Sequence, residues 1–465
     1  MKIFALLLFA FASAGFAVTP QDCRDRPVVE TLELRDRGRD LFLNETFGGN
    51  GRTCGTCHRE DHNFVIDAAY IAKLPKTDPL FVFERVPALR GLEDTRMLRS
   101  RGLILENLDG FDKPPVFRAV QTINGLRKTL SIGVLDSVTG EPVHETGWSG
   151  DGAPGDGSLR CFAVGAVIQH MPKTLQRRAG IDFRLPTDEE LDALLVWQLS
   201  QGRQTTPRLS KMKFRNPDVQ EGARKFSVAV MKTRAGGTDA RRCGGCHVDG
   251  GAGDQEPVQI DRQRVTNVSF SPNAPVCDSG VPAAQTIDGG LGLGQRFLES
   301  IQCGRRTLFR PLFADIDQAG LRGSFNIQSV WEAVEAAPFF HDNSAKTVEQ
   351  VLDFYASDAF DASQGNEGRA FVFTPDDRRQ LAALLRVMSV LENIRGALEQ
   401  IQQGRPGLAR IDIAEAQAAL IASKIVPQDA ARNALSQAKA LLSRDYAAAS
   451  AQLLQARSAL IEEGV

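Results

Sequence analysis

The chain has 465 residues, enough for two or three domains, and 42% apolar content that is ordinary for a globular protein. Its formal net charge is -2, with 55 Lys and Arg against 57 Asp and Glu and no basic run. That balance argues against nucleic acid as a partner.

Residues 1–17, MKIFALLLFAFASAGFA, carry one early cation at Lys2, an apolar run from Ile3, and small residues at Ala12, Ala14 and Ala17. This is the build of a secretory signal cut after Ala17. The apolar run is about fifteen residues long, short of the ~20 that span a bilayer. A retained anchor is the alternative reading. No other segment is long and apolar enough for a transmembrane helix, so the expectation is an exported, periplasmic protein without stable membrane insertion.

Next comes GRTCGTCHRED (51–61), with Cys54 and Cys57 three apart and His58 directly after. Alone it reads as a redox dithiol, half of a zinc site, or an attachment point. Export disfavours the free dithiol. RRCGGCHVD (241–249) then repeats the order with Cys243, Cys246 and His247, from a stock of only 8 Cys and 6 His. Cysteines three apart lie on one face of a helical turn, where both form thioethers to the vinyl groups of one porphyrin. The next residue supplies an imidazole to the iron. The expectation is two covalent c-type haems, held by Cys54 with Cys57 and by Cys243 with Cys246, with His58 and His247 on the irons. A four-cysteine zinc site pooled from both pairs is the alternative. Nothing in the residues speaks for or against calcium.

The motifs recur after about 190 residues, which suggests an internal duplication. FRAVQTINGL (117–126) and FNIQSVWEAV (325–334) each carry a Phe, then Gln, a hydroxyl residue and an aliphatic one. WSGDGAPGDGSL (148–159) and FHDNSAKTVEQVL (340–352) are polar, Asp-containing turns leading into helices. Thr187 before three acids, and Thr374 before Pro and two acids, mark the starts of two closing helices. The expected fold is mostly α: a first cytochrome c-like domain over 18–204 and a second over 205–398, face to face. The linker is expected at 202–217. Residues 399–465 read as an Ala-rich helical extension, interrupted near Pro427 and at Arg444–Asp445. Its Leu435, Leu442, Leu453 and Leu460 suit an apolar helix face. That extension is either a helical hairpin packed on the core or a docking surface for a partner.

Four cysteines stand outside the motifs. Cys277 and Cys303, nearest in sequence within one domain, are the expected disulfide, and Cys23 with Cys161 is the leftover pair.

The ordered motifs over roughly 35–395 resemble the bacterial di-haem cytochrome c peroxidase superfamily, which includes MauG and the rubber oxygenases. The likeness is strongest in APFFHDNSAKTVEQVLDFY (337–355). It implies that Tyr355, fourteen residues after His341, ligates the second iron, as in MauG-like enzymes, where peroxidases use Met. A buried aromatic in the core is the alternative. It also implies that Trp148 relays electrons between the haems, against simple core packing, and that His341 is a nearby relay group. The family's distal Gln falls here on Phe162, and its distal Glu near Met171 or Pro172. A Phe over the open iron is what the rubber oxygenases use. No carboxylate lies between Asp156 and Asp182, so a weak peroxidase is expected, with His170 or His144 as candidate distal bases.

The implied function is an exported di-haem oxidoreductase activating hydrogen peroxide or dioxygen at the first haem, with the second relaying electrons. Its expected partner is an electron-donor protein, a small cytochrome or cupredoxin, or a protein substrate. The alternatives are a pure electron-transfer cytochrome and a rubber-oxygenase-like dioxygenase.

Overall fold

Thr31 caps the backbone of Leu34 and opens α1 (Leu32–Asn44), whose buried face carries Gly38, Leu41 and Phe42. The computed structural model describes residues 23–107, 111, 115–130, 158–229, 231–234, 242–245, 247–251, 265–266, 298–303, 306–311, 325–326, 328–340, 342–361, 370–425 and 428–463. The signal segment, His144, Trp148, Cys246, Cys277 and His341 lie outside the described residues.

After α1 come three short helices, α2 (Ala68–Ile71), α3 (Val82–Arg85) and α4 (Thr95–Arg101). An antiparallel pair follows, β1 (Leu103–Glu106) with β2 (Val116–Ala119), Leu103 opposite Ala119. The first half closes with α5 (Leu159–His170) and α6 (Asp188–Leu199). Thr187 and Glu190 cap each other's backbone at the start of α6, as the local sequence demands. Helices α1 and α6 touch backbone to backbone. A Cβ on Gly38 would stand 2.0 Å from the Ala193 carbonyl oxygen, so only glycine allows the approach.

The second half repeats this pairing. It holds β3 (Lys213–Phe214), α7 (Pro217–Ser227), β4 (Val265–Thr266), β5 (Leu298–Cys303), β6 (Arg306–Pro311) and β7 (Phe325–Asn326). Then come α8 (Val348–Tyr355), α9 (Asp358–Asp361) and α10 (Pro375–Gln402). Thr374 and Asp377 cap α10 reciprocally. Helix α7 lies on α10, where a Cβ on Gly222 would stand 2.3 Å from the Gln380 carbonyl oxygen. The glycine-mediated contact of α1 on α6 thus recurs as α7 on α10. Every described sheet has two antiparallel strands, and the fold is mostly α.

The extension forms α11 (Pro406–Ala422), α12 (Asp429–Leu441) and α13 (Tyr446–Ser458), with β8 (Ile461–Glu463) pairing back onto β3. Leu435, Leu442, Leu453 and Leu460 are all buried, in one hydrophobic cluster that also contains Leu209, Met212 and the inner face of α10. Two expected boundaries need revision. Residue 398/399 falls inside the continuous α10, and part of the expected linker is core, since Arg203, Leu209 and Met212 are buried. The extension therefore completes the second core. Among the described residues no helix is long and apolar enough to cross a membrane.

Candidate functional site

The first CxxCH segment is a single helical turn. The Cys57 and His58 amides both donate to the Cys54 carbonyl, at 3.2 and 3.0 Å. Gly55 lets the turn press on α1, because a Cβ there would stand 2.9 Å from Leu43 Cδ2. The described part of the second motif has the same build. The His247 amide donates to the Cys243 carbonyl at 2.9 Å, and a Cβ on Gly244 would stand 3.0 Å from the Phe226 carbonyl oxygen on α7.

Both histidines are oriented through Nδ1. His58 Nδ1 lies 3.0 Å from the Phe64 carbonyl oxygen, and His247 Nδ1 lies 2.9 Å from that of Gln328. A carbonyl only accepts, so each ring carries a proton on Nδ1. Burial lowers the pKa of His247, which favours the neutral ring. A neutral imidazole, proton held by a carbonyl and Nε2 lone pair available, is the donor an iron takes. The residues fit two c-type haems.

The redox-dithiol reading of the first motif fares worse. Burial pushes the Cys54 thiol up to about 12 and Cys57 up to about 11, opposite to the lowered values of redox dithiols. Among the described residues no three His, Cys, Asp or Glu side chains are placed to hold a metal ion on their own.

The repeated segments meet where the halves face each other. Gln328 Nε2 donates to Gln121 Oε1 at 2.9 Å, so the Gln of one copy bonds the Gln of the other. Thr122 Oγ1 accepts from the Asn124 amide at 3.1 Å, and Ser329 Oγ accepts from Trp331 at 3.3 Å. Each hydroxyl also reaches the loop after its own CxxCH, at the Asn63 and Gly250 carbonyls. Beside this seam, Lys128 is fully buried, with Nζ 2.6 Å from both Glu332 oxygens and 3.0 Å from Ser329 Oγ. Trp331 is 0% exposed, lies under Arg203, and donates Nε1–H to the Asp249 carbonyl at 2.9 Å.

Helix α5 carries Phe162 and His170. With Ala166 they stand at i, i+4 and i+8 on one face, all half-buried, while most other positions of the helix are buried. Its start is held twice. Cys23 and Cys161 form a disulfide, and Asp25 accepts from Ser158 Oγ and from the Leu159 and Arg160 amides, each at 2.9 Å. The leftover pairing is thus the one present, and the pairing of Cys277 with Cys303 falls outside what is described.

At the other end of α5, an acid from a distant segment comes close. No acid is near His170 in sequence, yet Glu93 Oε1 lies 3.8 Å from His170 Nδ1. Glu93 is fully buried, bonded to Arg52 at 2.7 Å and to the Leu105 amide at 2.7 Å. Burial would raise its carboxyl, but Arg52 and His170 outweigh that and hold it below the ordinary range. Arg52 belongs to the first motif segment itself. A buried Arg52–Glu93–His170 chain therefore joins the CxxCH loop to the helix of Phe162.

Tyr355 ends α8, half-buried, with its ring 5.3 Å from Phe354 and 5.1 Å from Phe360. Val348 and Leu352 on its face are buried, as the pattern requires. His341 lies outside the described residues, but its neighbour Asn343 donates to the Arg101 carbonyl at 2.9 Å, docking that turn on the first half. Glu93, Asp25 and the carbonyls of Phe64 and Gln328 were not singled out from sequence. The acids carried only their charge as a signal, and the carbonyls none.

No protein-family model matches the chain, and no curated protein matches it. Among solved structures the chain is similar to one titled as a MauG-like protein associated with microbial copper homeostasis. That likeness is 14% identical, covers 78% of this chain and 92% of that chain, and has a TM-score of 0.36. A likeness of that depth assigns no activity to this chain.

Proposed function

We propose that this protein is an exported di-haem c-type cytochrome oxidoreductase that reduces peroxide or activates dioxygen at the site of His58, with the site of His247 relaying electrons. One observation carries the reading: the same CxxCH turn occurs twice, and each histidine gives its Nδ1 proton to a backbone carbonyl. The bound haems supply the electron transfer and the peroxide or dioxygen chemistry. The chain's part is to orient the two imidazoles, to fix the halves through Gln121, Gln328 and the Lys128–Glu332 pair, and to shape the far side of the first site. There Phe162 presents an apolar surface. In this reading His170, with Glu93 beside it, takes a proton from peroxide and returns it to the leaving oxygen. Two electrons and two protons convert one peroxide to two waters, the electrons coming from a small cytochrome or cupredoxin. Tyr355 is the proposed ligand of the second iron and Trp148 the bridge between sites.

Intact mass after denaturation should exceed the mature polypeptide by two haems, one lost on replacing Cys54 and Cys57 and the other on replacing Cys243 and Cys246. A mass equal to bare polypeptide sinks the proposal. Failure of the reduced protein to bind carbon monoxide would instead favour a pure electron carrier.

A further inference from the structure

Under the extension, three carboxyl groups come together that this function leaves unused. Glu335 follows the second repeated segment, and Asp412 and Glu415 lie on α11. One oxygen of each (Glu335 Oε2, Asp412 Oδ2 and Glu415 Oε2) is sealed from solvent without a hydrogen-bond partner. The donors that reach the cluster are neutral: Glu335 Oε1 takes Asn393 Nδ2 at 2.9 Å, Glu415 Oε1 takes Asn63 Nδ2 at 2.9 Å, and the Ser389 hydroxyl also lies beside Glu335 and offsets part of the effect of its burial. Gly396 of α10 makes room for Asp412, since a Cβ there would stand 3.1 Å from its Oδ2.

An ionised carboxylate with no donor is costly to bury, and a protonated one far less so. Burial, with Glu415 adding, pushes Asp412 up to about 8. Burial raises Glu335 well above the ordinary value. It raises Glu415 too, with Asn63 and His62 offsetting part of the effect. The other charges facing the cluster are Glu392, Glu399 and Arg395 of α10 and His62 of the first loop. Arg395 is already committed to Glu392 and Glu399, at 2.5 and 2.7 Å. Among the described residues no such group is arranged for a metal ion.

The cluster reaches the first site through one residue. Asn63, bonded to Glu415, immediately precedes Phe64, whose carbonyl holds the His58 Nδ1 proton. Both residues sit in the left-handed region, with φ of 52° and 59°, so the loop is under conformational tension at that point.

We propose that Glu335, Asp412 and Glu415 form a proton-binding site coupled through Asn63 to the first haem, taking up one solvent proton when that site gains an electron. The electron adds one negative charge beside the loop. One carboxylate plus one proton becomes a neutral carboxyl, which cancels the added charge, and reoxidation releases the proton. This rests on His58 being a haem ligand.

The test uses the full-length holoprotein, wild type, Asp412→Asn and Glu415→Gln. Redox titration is followed at the haem whose spectrum disappears when Cys54 and Cys57 are replaced. In the wild type its reduction equilibrium should shift by about tenfold per pH unit near pH 8, while the other haem's stays flat. The slope should shrink in both variants. Reduced-minus-oxidised infrared spectra should show a protonated-carboxyl band gained on reduction and missing in Asp412→Asn. A pH-independent equilibrium at the first haem in the wild type overturns the proposal, as does a slope unchanged in both variants. If His58 holds no haem, the mass measurement fails first. The oxidised protein would still show a buried-carboxyl band sensitive to Asp412→Asn, so the two failures separate.

Discussion

The two CxxCH neighbourhoods use one device in different settings. His58 gives its Nδ1 proton to Phe64, six residues on in its own loop, whereas His247 gives it to Gln328 across a long stretch of chain. In the first half, the orientation of the imidazole is a property of a local turn. In the second it depends on a remote segment being docked, and that segment is pinned by Ser329, Glu332 and Trp331. The first loop meets the extension instead, through Asn63 to Glu415 and Glu60 to Arg405 at 2.9 Å. Equal chemistry at the turn thus permits unequal control of the two sites.

The largest expected effect comes from the seam that serves both. Glu332→Ala strands the buried Lys128 ammonium, which burial already pushes down in pKa, and should cost about 3–5 kcal/mol in thermal or denaturant unfolding. Lys128→Met combined with Glu332→Leu should recover most of that. A loss no larger than a surface truncation, under about 0.5 kcal/mol, would mean that the pair does not join the halves.

Removing the Cys23–Cys161 disulfide should weaken the first half by about 2–4 kcal/mol and leave the second haem's spectrum unchanged. A matching disturbance of both sites would erase the distinction between them.

Among the described residues the raised carboxyl pKa values lie at Glu335, Asp412 and Glu415, where the second half and the extension meet the first loop at Asn63. A folded value above the unfolded one favours the native state at low pH, and that advantage is lost as pH climbs through the folded value, about 8 for Asp412. Asp412→Asn should therefore be more stable than wild type by about 1–3 kcal/mol near pH 9, with no gain near pH 4. Parallel stability curves for the two proteins would place Asp412 outside the buried cluster.

The smallest effect is the most local. Trp331→Phe loses the bond to the Asp249 carbonyl and should cost about 1 kcal/mol, shifting the second haem's spectrum and not the first's. Thr122→Val is its counterpart, expected to disturb the first site alone. If each variant moved both spectra equally, local and remote orientation of the two histidines would not be separable.

Much of the architecture is legible along the chain because it is local. Two cysteines three apart and a following histidine share one turn by helical spacing alone. Thr187 and Thr374 start their helices because a hydroxyl and an acid three residues later satisfy the same exposed amides. The leucines of the extension announce a buried face. Which surface covers that face was not legible, since Ala-rich helices present few groups that single out one partner.

The chemistry that orients the site is another matter. Every residue has a carbonyl, so nothing in the letters marks Phe64 and Gln328 as the acceptors of the two imidazole protons. Glu93 is visible as a charge, but its meeting with Arg52 and His170 needs three separated segments to be buried together. The raised carboxyls of Glu335, Asp412 and Glu415 arise only when packing removes water and supplies too few donors. Spacing alone determined that two CxxCH motifs exist and that helices surround them. Folding decided which backbone atom holds each histidine, which acid lies beside His170 and which carboxyls lose their water, because those depend on desolvation and on contacts between segments far apart in the chain.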